Sequence, residues 1–145
     1  MPAILVIDDD PTIRAFVRAV LVARGYHVQE ASDGWAGLKL FRAEPPDLVL
    51  CDLYMPVREG IETIRDMRRL DKAVPIIAMS GRPPYMPDCL AVAKALGATA
   101  ALSKPFSIAK LREVVTRLIP LQEEGASDPS TDGTARVLLA GESVV

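Results

Sequence analysis

Four apolar runs in this sequence end on residues that can do polar chemistry. The run from Ala3 to Ile7 stops at Asp8, Asp9 and Asp10. "LVLC" stops at Asp52, "PIIAM" at Ser80 and "AALS" at Lys104. Carboxylates as close as Asp8 and Asp9 repel by ~4 kcal/mol per pair at an effective dielectric of ~20, so they diverge or share a positive group. A carboxylate cluster suits a hard dication: Mg²⁺ takes oxygen ligands, keeps waters and is usually held by one or two carboxylates plus a phosphate. A hydroxyl and an ammonium suit phosphoryl oxygens, the serine as hydrogen-bond donor and the lysine as a point charge. Asp8, Asp9, Asp52, Ser80 and Lys104 together therefore imply phosphoryl transfer onto an aspartate, with metal and lysine neutralising charge. Solvated strand caps alone would not place complementary groups at so many strand ends.

Those groups converge only if the elements between them position them. Ala3–Ile7 reads as a buried strand. Asp10 and Pro11 supply an N-cap and a first-turn proline, and Ile13, Phe16, Val17, Val20 and Leu21 follow at helical spacing up to Gly25. His27–Ala31 is a short, more polar strand suited to an edge. Asp33 caps a second helix that Pro45 and Pro46 end. Leu48–Cys51, Pro75–Met79 and Thr99–Ser103 are further strands. Helices are expected over Ile61–Leu70, up to Gly97, and from Ile108 to about Leu121 behind a Ser107 cap. Apolar strands alternating with helices predict a doubly wound α/β fold: a five-stranded parallel sheet with helices on both faces. In the order 2-1-3-4-5, the first and third strands meet at the switch point. Asp8, Asp9 and Asp52 then share a strand-end cleft, where such sheets bind ligands.

Half of the residues are hydrophobic and a quarter are charged, as in ordinary globular domains. No apolar run approaches a membrane span, and the N-terminus lacks a signal-peptide pattern. Cys51 and Cys89 form no framework or metal spacing and read as reduced thiols of a cytoplasmic protein. The net charge of −2 is uneven: residues 121–145 hold one basic and five acidic residues. There is no basic stripe for nucleic acid, and the segment after residue 121 is too short for a helix-turn-helix domain. The expected division is a domain over 1–121 and an acidic, linker-like tail over 122–145, with a short ordered segment near 135–140.

Taken in order, "ILVIDDD", "ASDGWAGL", "DLVLCDLYMP", "PIIAMSG" and "GATAALSKPF" resemble the receiver domain of two-component response regulators across about residues 3–120. The resemblance implies a flavodoxin-like fold and a cytoplasmic signalling phosphoacceptor, not a turnover enzyme. It implies Asp52 as phosphoacceptor. Mg²⁺ would lie on Asp9, Asp52 and the backbone carbonyl of Tyr54, with Asp8 acting through a water. Ser80 and Lys104 would contact the phosphoryl group, and Lys104–Pro105 would be a cis peptide. Met55, Pro56 and Gly60 would shape the loop after Asp52. Tyr54, Gly81, Arg82, Ala101 and Pro105 occupy positions that modulate the site. The implied partners are a histidine kinase or phosphotransfer protein docking on the first helix, and an unidentified output partner or domain. Homodimerisation is compatible with this reading.

The sequence departs from the family at Ala101, where a Tyr or Phe often serves as a switch coupled to the hydroxyl. The proline-rich loop Arg82–Asp88 is then the expected output route. Tyr54 is expected to cover part of the site and Arg82 to approach the phosphate. Arg14 and Arg18 read as a solvated face beside a small apolar stripe of Ala15, Ala19 and Val22. Trp35 reads as half-buried packing, and His27 as structural.

Two other functions compete. Asp8-x-Asp10-x-Thr12 resembles the nucleophile motif of haloacid-dehalogenase-type phosphatases. That chemistry needs an acidic pair soon after the lysine, whereas Lys104 is followed by Pro105, Phe106 and a helix, and Asp52 would have no role. A receiver-like binding module that is never phosphorylated is the other, against which the intact set of Asp8, Asp9, Asp52, Ser80 and Lys104 argues.

Overall fold

The computed structural model describes residues 1–55, 60–81 and 89–121, with only the backbone at 89 and 90. The elements are β1 (Ala3–Ile7), α1 (Pro11–Ala23), β2 (His27–Ala31), α2 (Gly34–Ala43), β3 (Leu48–Asp52), α3 (Gly60–Leu70), β4 (Ile76–Ser80), α4 (Cys89–Ala95), β5 (Ala100–Ser103) and α5 (Ile108–Leu118). The strands form one parallel sheet in the order β2-β1-β3-β4-β5, as expected. Among the described residues, no helix is long and apolar enough to cross a membrane. The tail with its expected ordered segment, the loop Arg82–Asp88, Pro56 and the Cys89 side chain lie outside the described residues.

Alternation along the strands builds two cores. Ile4 and Val6, Leu48 and Leu50, Ile77 and Met79, and Ala100 and Leu102 face one side, where Val17, Leu21, Leu111 and Val115 of α1 and α5 cover them. Leu5 and Ile7, Val49 and Cys51, and Ile76 and Ala78 face the other, under Leu38, Phe41, Ile64 and Met67 of α2 and α3. Both faces are covered, which is why the strands read as continuous apolar runs.

Local signals set the helix ends. The Asp10 side chain accepts from Thr12 N–H at 2.8 Å with Pro11 in the first turn, and Asp33 and Ser107 cap α2 and α5 in the same way. Gly25 and Gly97, with φ of 106° and 125°, follow α1 and α4 in a conformation that favours glycine. The last helix is shorter than its apolar pattern suggests. It stops at Leu118, and Ile119 turns to φ −135°, ψ 80°. Pro120 disfavours helical geometry in the residue before it, and the buried Tyr26 hydroxyl donates to the Ile119 carbonyl at 2.9 Å.

Asp10 serves the helix, so Asp10→Ala should lower unfolding free energy by about 1 kcal/mol, and Asp10→Asn by much less. Urea denaturation of the two variants beside the parent chain checks this.

Candidate functional site

Register and alternation bring the site residues together. Ile7 pairs with Cys51 across β1 and β3, so Asp8 and Asp52 stand side by side, one step further on. Asp52 continues the face of Leu48 and Leu50, Asp8 that of Ile4 and Val6, and Lys104 that of Ala100 and Leu102. Three side chains from three strands thus project from one face of the sheet at its carboxyl edge. Lys104 Nζ lies 2.7 Å from Asp8 Oδ2 and 3.3 Å from Asp52 Oδ1. Its aliphatic stem runs over Gly81, where an added Cβ would come within 3.2 Å of it.

Asp8 is fully buried, and both its oxygens are held: Oδ1 accepts from Asp10 N–H at 2.9 Å, and Oδ2 takes Lys104. Asp9 is exposed. Asp8, Asp9 and Asp52 each offer an oxygen within 4.8 Å of the others. This all-oxygen set with one exposed member fits a hard divalent cation that keeps part of its water shell.

Asp52 is 4% exposed. Burial, and then the Asp8 charge, push its carboxyl up to about 6, against the opposing pull of Lys104 and a hydrogen bond from the Tyr54 backbone. Burial alone would lower the Lys104 ammonium, but its hydrogen bond to Asp8 and the charges of Asp52 and Asp8 hold it above its ordinary value. The Cys51 thiol is pushed far up by burial and by Asp52 and Asp8. It stays protonated as a core thiol and donates to the Asp52 carbonyl at 3.5 Å.

Ser80 ends β4, buried, with its carbonyl accepting from Lys104 N–H at 2.7 Å. Alternation puts its side chain on the face of Ile76 and Ala78, opposite to that of Asp52 and Lys104. Lys104–Pro105 is cis, as expected. Gly60 packs so close to β3 that a Cβ would lie 1.9 Å from the Asp52 carbonyl, so only glycine fits there. The Tyr54 ring packs against the core on the α2 and α3 side. Ala101 is partly buried on β5. Arg82 lies outside the described residues.

Two expectations need correction. Trp35 is 62% exposed, because the buried positions of α2 are Gly34, Gly37, Leu38 and Phe41. Arg14 and Arg18 are not simply solvated, since both pair with Glu30 on β2 at 3.3 Å. Arg14 also donates to the Asp8 carbonyl at 2.6 Å. Their spacing on one helix gave no hint of a carboxylate on the neighbouring strand.

The sequence model of a family described as the response regulator receiver domain matches residues 4–116. The sporulation initiation phosphotransferase F of Bacillus subtilis is 34% identical over 119 residues, covering 82% of this chain and 94% of that protein. The KDP operon transcriptional regulatory protein KdpE of Escherichia coli is 36% identical over 155 residues; the match takes in 100% of this chain but 67% of the longer regulator. Among solved structures, the chemotaxis protein CheY4 of Vibrio cholerae superposes with a TM-score of 0.76 at 31% identity, covering 82% of this chain and 99% of that one. The response regulator TrrA of Thermotoga maritima, solved in complex with Mg²⁺ and BeF, does so with a TM-score of 0.72 at 33% identity, covering 82% and 100%.

The raised Asp52 carboxyl has a consequence for stability. A group whose pKa rises on folding stabilises the fold fully below its unfolded value, and that contribution is lost as pH rises through the folded value. Here the window runs from about 4 to about 6 in metal-free protein. Asp52→Asn, which mimics the neutral acid, should stabilise the metal-free fold at pH 7 by on the order of 2 kcal/mol and should flatten the pH dependence in that window. Denaturant titrations of both proteins in a chelator at pH 4.5 and pH 7 check this.

Proposed function

The chain belongs to the response regulator receiver family, and on that premise we propose that Asp52 is its phosphoacceptor. The observation that carries the reading is the Lys104 ammonium in contact with buried Asp8 and Asp52, which share a cluster of carboxylate oxygens with the exposed Asp9. An Asp52 oxygen attacks the phosphorus of a phosphohistidine on a histidine kinase or phosphotransfer protein. The P–O bond forms, the P–N bond breaks, and the histidine nitrogen leaves with the electron pair. The product is an acyl phosphate that stores the signal.

Asp9, Asp52 and the Tyr54 carbonyl, with Asp8 behind, would hold Mg²⁺, which would supply positive charge to offset the incoming phosphoryl oxygens. Lys104 is already protonated and poised, so a phosphoryl oxygen on Asp52 gives its ammonium a stronger partner at little reorganisation. The Ser80 hydroxyl donates to a second phosphoryl oxygen, drawing the end of β4 inward. The response is a shift between two packings of the surface beyond β4. Ala101 has no ring to follow Ser80, so the aromatic coupling often found in the family does not carry that shift. The role is signalling, in a cytoplasmic setting. The phosphoryl donor docks on the exposed side of α1, along a shallow groove of about 410 Å³ lined by Ala15, Arg18, Ala19, Val22, Ala23 and Glu30.

Incubation with Mg²⁺ and acetyl phosphate should add one phosphoryl group to the chain, and peptide mapping by mass spectrometry should place it on Asp52. Asp52→Asn should remain unmodified with an unchanged circular dichroism spectrum. Lys104→Ala should slow modification roughly a hundredfold, on the scale of losing one charge-stabilising donor. Modification at another residue, or none on folded protein, contradicts the assignment.

A further inference from the structure

Arg14 makes two contacts at once. Its Nη1 donates to the backbone carbonyl of Asp8 at 2.6 Å, and its Nε pairs with Glu30 Oε1 at 3.3 Å. The other Glu30 oxygen takes Arg18 Nη1 at 3.3 Å, and the same nitrogen reaches the Val28 carbonyl at 3.2 Å. Glu30 pairs with Val6 in the sheet register, so the guanidinium groups tie α1 across the ends of β1 and β2. The Arg14 side chain is 18% exposed against 51% for Arg18, so Arg14 is the inner member of the pair.

The contact with the Asp8 carbonyl matters because of what that carbonyl belongs to. It is half of the rigid, planar peptide that joins Asp8 to Asp9. Fixing the carbonyl fixes the plane, and with it the direction in which Asp9 leaves the strand. The rest of Asp8 is also held. Its N–H donates to the Ala31 carbonyl at 3.1 Å, and its carboxylate is gripped by Asp10 N–H and Lys104. Arg14 provides the grip on the side that leads to Asp9, which itself is exposed.

We propose that Arg14 is a positioning residue for the carboxylate cluster: its guanidinium sets the Asp8–Asp9 peptide plane and so the aim of the Asp9 carboxylate at a divalent cation. The proposal rests on reading Asp8, Asp9 and Asp52 as a Mg²⁺ site. Groups that orient metal ligands from behind commonly control affinity by a factor of ten or more. Lysine is a poor substitute, because a flexible ammonium lacks the rigid planar geometry that aims one N–H at the Asp8 carbonyl.

Calorimetric titration of Mg²⁺ into the full chain tests this without any phosphoryl donor. Arg14→Ala should weaken Mg²⁺ binding roughly tenfold, and Arg14→Lys should recover only part of the loss. Glu30→Ala removes the ion pair but leaves the Asp8 carbonyl contact available. It should lower the metal-free melting temperature, as Arg14→Ala does, yet bind Mg²⁺ almost as tightly as the parent chain. Should Arg14→Ala not fold, Arg14→Lys, which keeps the charge, carries the comparison. Parent-like Mg²⁺ affinity in the Arg14 variants overturns the proposal. So do equal losses in the Arg14 and Glu30 variants, which would mean general loosening. A parent chain that binds no Mg²⁺, or an Asp9→Asn variant that binds it equally well, instead overturns the metal-site reading and the proposal with it.

Discussion

The Lys104 ammonium stands 2.7 Å from Asp8 and 3.3 Å from Asp52, and most of the design around the strand ends follows from that contact. Two carboxylates at the edge of an apolar sheet repel each other and lose hydration, each effect worth several kcal/mol. One ammonium between them offsets part of this and no more. Burial and the Asp8 charge still leave the Asp52 carboxyl raised to about 6 despite Lys104. The site therefore retains an electrostatic deficit that added positive charge, or loss of a negative one, relieves. That deficit suits the proposed uptake of a divalent cation and then of a phosphoryl group.

The fold supplies this arrangement with little local specialisation. A parallel sheet brings its carboxyl ends to one edge, and the crossover between β1 and β3 opens a crevice at the switch point. The register sets Asp8 beside Asp52, and the two-residue period turns Asp8, Asp52 and Lys104 to the same face. Close packing finishes the geometry. Gly81 leaves room for the Lys104 stem, and Gly60 lets the start of α3 lie against the Asp52 carbonyl. Arg14 and Glu30 lock the α1 side of the same edge. These contacts act on the backbone or the stem beside the charged groups, so the scaffold supports the geometry that the ion pairs complete.

Much of this was legible in the sequence because it depends on periodicity. Apolar strands that end in Asp, Ser and Lys announce both the sheet and its functional edge. Asp10, Asp33 and Ser107 announce their helix starts, and all three side chains accept from helix amides. What the sequence hid depends on contacts between elements. Arg14 and Arg18 look like any solvated i, i+4 pair, and Glu30 sits on β2, more than ten residues away. The exposure of Trp35 follows from which face of α2 meets the sheet, a matter of a single helical step. The early end of α5 combines a local signal, Pro120, with a distant one, the Tyr26 hydroxyl on the Ile119 carbonyl.

Asp52, buried beside Asp8, bears an electrostatic cost that Lys104 alone does not relieve. Carbon-13 NMR titration of the Asp52 side-chain carboxyl in chelator-treated protein measures this most directly. The expected apparent midpoint is about 6, falling when Mg²⁺ is added because the cation favours the ionised form. A metal-free midpoint at the ordinary aspartate value of about 4, unmoved by Mg²⁺, would contradict it.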